Sequence, residues 1–179
     1  MREVVASACR GVAWLATGGD GSLDATPRAL VVGGHSAGGH LAVMAARHLD
    51  DRRSAGRTGA PFVGCAVLSG LFDLAPLLRT SVATRAGLTE ADADTLSPMR
   101  LSIPPGWLIA GVGERDGAGF VAQADDYATR RLAAGASTER FVVPGASHYS
   151  VLLDLVGPDS RLAERVRSRL AEASRTLAG

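Results

Sequence analysis

Four short runs of consecutive apolar residues punctuate the chain, and between them lie stretches where apolar residues recur every three or four positions. The runs, at residues 29–32, 62–68, 107–112 and 140–143, read as strands. The periodic stretches read as helices. One opens the chain with Val5, Ala8, Cys9, Val12 and Leu15 on one face and is stopped by Gly18-Gly19. Others follow the first run to about Leu49, lie near Thr89, cover residues 120–134, and cover residues 160–177 with Leu162, Val166, Leu170 and Leu177 on one face. Residues 19–28 and 50–57 are polar and turn-rich, hence loops, and residues 69–98 form a long excursion between the second and third runs. Strands that are apolar throughout are buried on both faces. Alternation of such strands with helices predicts the α/β class, a parallel sheet flanked by helices. No internal repeat is visible, and residues 1–179 read as one domain.

The first run ends in Gly34-His35-Ser36-Ala37-Gly38-Gly39 and passes directly into a helix-favouring segment. A strand, a Gly-x-Ser-x-Gly turn and a helix make the sequence form of a nucleophile elbow, which presents Ser36 Oγ above the sheet. On this reading Gly34 and Gly38 stand where any Cβ would collide with strand or helix, and Gly39 serves the same close approach. The Ala37 N–H, in the first turn of a helix, is free to meet an oxyanion formed by attack of Ser36.

Parallel strands place all their C-terminal ends at one edge of the sheet, where open α/β sheets carry their chemistry. Past the third run come Glu114 and Asp116, and past the fourth comes His148. The order Ser, acid, His is that of the α/β-hydrolase arrangement. The 32 residues from Asp116 to His148 leave room for one helix and one strand. Glu114 competes with Asp116 for the acid. His35 cannot turn back onto its neighbour's Oγ and is expected to orient backbone or line the pocket; His40 and His48 read as packed or surface helix residues, and Asp73 as a loop cap.

Composition narrows the function classes. The chain is 46% apolar and 21% charged with a formal net charge of +1, and its cations, all Arg, are interspersed with acids, which points away from nucleic acid and anionic membrane surfaces. Cys9 and Cys65 fall inside a helix and a strand, so they read as small buried residues in a reducing, cytoplasmic compartment. No apolar stretch approaches a membrane span, no His/Cys/carboxylate cluster has zinc spacing, and the Gly-rich turn lacks the Lys of a phosphate-binding loop. A small-molecule substrate and no cofactor are expected.

Several blocks together carry a family likeness. The segments around Ser36, Ser69-Gly70-Leu71-Phe72-Asp73-Leu74-Ala75-Pro76-Leu77, Ala91-Asp92-Ala93 with Ser97-Pro98, and His148-Tyr149-Ser150 resemble the kynurenine formamidase (arylformamidase) branch of the α/β-hydrolases. The resemblance implies Ser36 as nucleophile, Asp116 as acid and His148 as base, acting on N-formyl-L-kynurenine in tryptophan breakdown. The residues alone stop at a serine hydrolase, and a general carboxylesterase, a non-catalytic remnant and half of a two-chain assembly stay open. One helix and no His-Gly-Gly motif precede the elbow strand, so the chain is expected to be a truncated hydrolase lacking its N-terminal strands and one oxyanion donor. Its elbow strand is then expected to be a sheet edge, open to pairing in a homodimer or with another strand.

Overall fold

The computed structural model describes residues 1–24, 27–155 and 160–178. Four parallel strands, β1 (Leu30–His35), β2 (Phe62–Leu68), β3 (Trp107–Gly113) and β4 (Thr138–Val143), pair in chain order to form one sheet. Helices α1 (Arg2–Ala16), α2 (Ala37–Ser54), α3 (Ser81–Ala86), α4 (Glu90–Leu96), α5 (Ala118–Ala133) and α6 (Arg161–Ala178) surround it. The parallel α/β architecture expected from the apolar runs is the one observed.

Successive side chains of a strand point to opposite faces, so a strand covered on both sides must be apolar at every position. Cys65 and Val67 of β2 pack with Leu108 and Ala110 of β3 against Ala42, Val43 and Ala46 of α2 and Tyr127 of α5. Ala66, Leu68, Ile109 and Phe141 face the other way, onto Val151 in the segment after β4 and Leu162 of α6. α1 lies outside α2, where Val5 and Cys9 meet Met44. Both cysteines are free and buried, and burial pushes the Cys65 thiol up to about 12, as befits small core residues.

Three local expectations change. The buried stripe of α1 is Val5, Cys9, Ala13 and Ala16, whereas Leu15 is 40% exposed, because only a narrow seam of the helix touches α2. α2 does not stop near Leu49 but runs to Ser54, extended by an Arg47–Asp51 ion pair one turn apart and by Arg52 and Arg53, which favour the negative end of the helix dipole. The long excursion holds two helices instead of one. α3 is capped by Thr80, whose hydroxyl accepts the Val82 N–H at 3.3 Å; α4, the helix expected near Thr89, starts on a reciprocal Thr89–Asp92 capping box. The Leu177 side chain, assigned to the apolar face of α6, lies outside the described residues.

β1 is an edge strand, as expected, with apolar hollows on both sides. One of about 520 Å³ is lined by Val12, Trp14, Leu15, Val32, Gly38 and Leu41, and one of about 360 Å³ by Gly34, Leu152, Leu155, Leu162 and Val166 among others. No helix among the described residues is long and apolar enough to cross a membrane.

Candidate active site

Ser36 sits at the turn between β1 and α2 with φ 55° and ψ −121°, a conformation that L-residues rarely adopt. Its N–H donates to Leu68 O at 2.9 Å, which ties the turn to the end of β2. A Ser preceding a helix ordinarily turns its hydroxyl onto the first-turn N–H groups; here the side chain makes no cap bond and is released for other work. The tight turn depends on two glycines. A Cβ on Gly34 would lie 2.2 Å from Gly38 O, and one on Gly39 would lie 2.6 Å from Val67 Cγ1 and 3.0 Å from Gly70 Cα. The same requirement, expected of Gly38, does not hold: a Cβ there would meet nothing within 4 Å among the described residues, because Gly38 faces the open hollow beside β1.

The C-terminal ends of three strands converge on this turn. His148, in the loop after β4, brings Nε2 to 3.1 Å from Ser36 Oγ, and its Nδ1 lies 3.0 Å from Asp116 Oδ1. With the carboxylate accepting the Nδ1–H, Nε2 is left to accept the serine hydroxyl proton. The Asp116 side chain is fully buried and that of His148 is 20% exposed, so the acid is dry while the base faces the opening. Glu114 goes elsewhere, accepting the Gly145 N–H at 2.7 Å. Neighbouring Arg115 donates from Nε to Gly145 O at 2.8 Å, and these bonds fasten the acid loop to the histidine loop. Of the two acids weighed from sequence, Asp116 is the one brought to the histidine.

No family model matches the chain. Kynurenine formamidase of Salmo salar is 30% identical over 138 residues, covering 73% of this chain and 46% of that protein. Among solved structures, esterase B from Lactobacillus rhamnosis in its tributyrin-phosphonate-inhibited form superposes with a TM-score of 0.70 at 20% identity, over 96% of this chain and 61% of the other. The Pyrobaculum calidifontis esterase gives 0.67 at 19% identity, over 94% and 60%. The chain has the α/β-hydrolase fold. In sequence it resembles kynurenine formamidase, and it spans about half the length of that relative.

The surroundings of His148 are aromatic. Phe120, in the first turn of α5, stacks on its ring at 4.1 Å and 30°, Tyr149 meets it edge-on at 5.3 Å, and His35 lies 4.6 Å away. His35 Nε2–H donates to His148 O at 2.7 Å, so His35 orients backbone, the first of the two roles open to it from sequence. The Ala37 N–H, first in α2, makes no hydrogen bond among the described residues and lies beside a hollow of about 330 Å³ lined by Met1, Val4, His40, Leu41, Leu71 and Leu74. His40 is buried, its Nε2 donating to Leu96 O at 2.7 Å, and burial pulls its pKa below 6.5. Asp73 caps its own turn by accepting the Ala75 N–H at 3.0 Å. Two neighbours of the site were not assigned roles from sequence, namely Ser69, whose hydroxyl donates to Asp116 Oδ2, and Phe120. The available signal was position: both follow strands whose ends form the site edge.

Proposed function

We propose that this chain carries the acyl-transfer centre of a serine hydrolase of the arylformamidase type, acting on a formamide such as N-formyl-L-kynurenine or on a small ester. The observation that carries the reading is the hydrogen-bonded line from Ser36 Oγ through His148 to Asp116, assembled from three different strand ends. Ser36 is the nucleophile. His148 takes its proton as Oγ attacks the carbonyl carbon, Asp116 holds the imidazole in the productive tautomer and stabilises its charged form, and the Ala37 N–H meets the developing oxyanion. His148 then returns the proton to the leaving amine or alcohol, and water releases the formyl or acyl group by the same steps in reverse roles.

The formamide preference is supported by similarity to a kynurenine formamidase, and ester turnover by esterases of the same fold. α/β-Hydrolases draw a second oxyanion donor from a loop that precedes the elbow strand, and the described residues offer no His-Gly-Gly segment there.

A fluorophosphonate probe followed by peptide mapping tests the nucleophile. Ser36 is expected to be labelled, and labelling is expected to disappear in Ser36→Ala and His148→Ala. Parallel assays with N-formyl-L-kynurenine and p-nitrophenyl acetate then separate formamidase from esterase. Labelling at another residue, or none in a folded sample, overturns the proposal.

A further inference from the structure

Asp116 is held from more directions than its partnership with His148 requires. Its Oδ1 takes the His148 Nδ1–H at 3.0 Å and the Gly117 N–H at 2.9 Å, while its Oδ2 takes the hydroxyl of Ser69. The carboxylate is shut off from solvent, so an Oδ2 without Ser69 would have no water to replace it. Ser69 itself is unusual. It is fully buried at the C-terminal end of β2, and its φ of 48° lies in the left-handed region that favours glycine. Its N–H is bound to Gly111 O at 2.8 Å, which fastens the residue to β3, the strand that leads to Asp116. A side chain kept at a backbone position that glycine would occupy without strain implies that the side chain is used.

We infer that Ser69 is a positioning residue of the site, whose hydroxyl locks the rotation of the Asp116 carboxylate and so keeps Oδ1 aligned on His148 Nδ1. The inference rests on the hydrolase reading of the triad and deepens it. A carboxylate bonded at one oxygen only is free to turn about its Cβ–Cγ bond. Donors on both oxygens fix its plane, and the imidazole is then held in the one orientation that points Nε2 at Ser36. The Ser69 hydroxyl bonds Asp116 and not Ser36, so its effect reaches the reaction through Asp116.

Two variants test this, Ser69→Ala, which retains the backbone strain, and Ser69→Gly, which relieves it; both delete the hydroxyl. The first readout is the downfield proton resonance of His148 Nδ1–H in one-dimensional NMR, which needs no turnover. The second is the rate of fluorophosphonate labelling at Ser36, with kcat and KM for any substrate that is turned over. Both variants are expected to shift or broaden the resonance and to slow labelling by about tenfold to a hundredfold, with KM unchanged. An unchanged resonance in both overturns the inference, as does wild-type labelling in Ser69→Gly, which would make the residue a matter of backbone conformation. A folded wild type that is not labelled sinks the hydrolase reading, and the resonance still decides on Ser69. Since Gly is compatible with the observed φ, it keeps the test open where Ala fails to fold.

Discussion

Two carboxylates stand two residues apart after β3, and the backbone turn between them decides which one meets His148. Asp116→Asn is expected to leave the thermal melt near that of wild type and to lower turnover or labelling roughly ten-thousand-fold, because the amide favours the wrong imidazole tautomer. Glu114→Gln, which keeps an oxygen for the Gly145 N–H, is expected to stay within a few-fold. Rates that reverse this order would assign the acid to Glu114. At this scale Ser36, Asp116 and His148 were legible because strand ends in a parallel sheet share one edge, so chain order and spacing suffice to gather them. Ser69 and Phe120 were not. Their contacts depend on a left-handed turn at the end of β2 and on where α5 begins, and neither leaves a periodic trace in the chain. Gly38 misled for the opposite reason, since the motif suggests a collision that the open side of β1 does not supply.

Among the elements, strands were read to within three residues of their bounds, whereas helix ends shifted where charges and caps extend a helix past its apolar face. α2 shows this most clearly, its last turn being held by Arg47, Asp51 and the dipole instead of by burial. Its first turns are the reverse case. His40 is buried there and ties α2 to the end of α4 through Leu96 O. Burial lowers the His40 pKa beneath 6.5, so below that pH the unfolded chain binds protons that the folded chain refuses. Stability is therefore expected to be complete above about pH 6.5 and to fall as the solution is made more acid. Urea titrations at pH 7.5 and 5.5 check this. The wild type should lose more stability between the two than His40→Gln, which can still donate to Leu96 O; equal losses would assign the pH response to other groups.

For the molecule as a whole, the consecutive strand order leaves β1, among the described residues, with one unpaired side between two apolar hollows, and Val4, Trp14 and Leu15 are 55%, 41% and 40% exposed on the adjacent helix. Unpaired N–H and C=O groups on such an edge are a template for strand addition. We propose that the β1 edge pairs with a strand of a second copy. Light scattering should then show self-association growing with concentration, and Trp14→Arg, at the rim of one hollow, should reduce it; a monomer at all concentrations would refute it. The consecutive order has a consequence in time as well. Each strand docks beside its predecessor, but the Ser36–His148 contact spans 112 residues and closes only after β4 has paired. A ribosome adding about 5–20 residues per second needs on the order of ten seconds to make that span. Throughout that interval the nascent chain can hold its serine at the turn with no base beside it, so reactivity arrives late in synthesis.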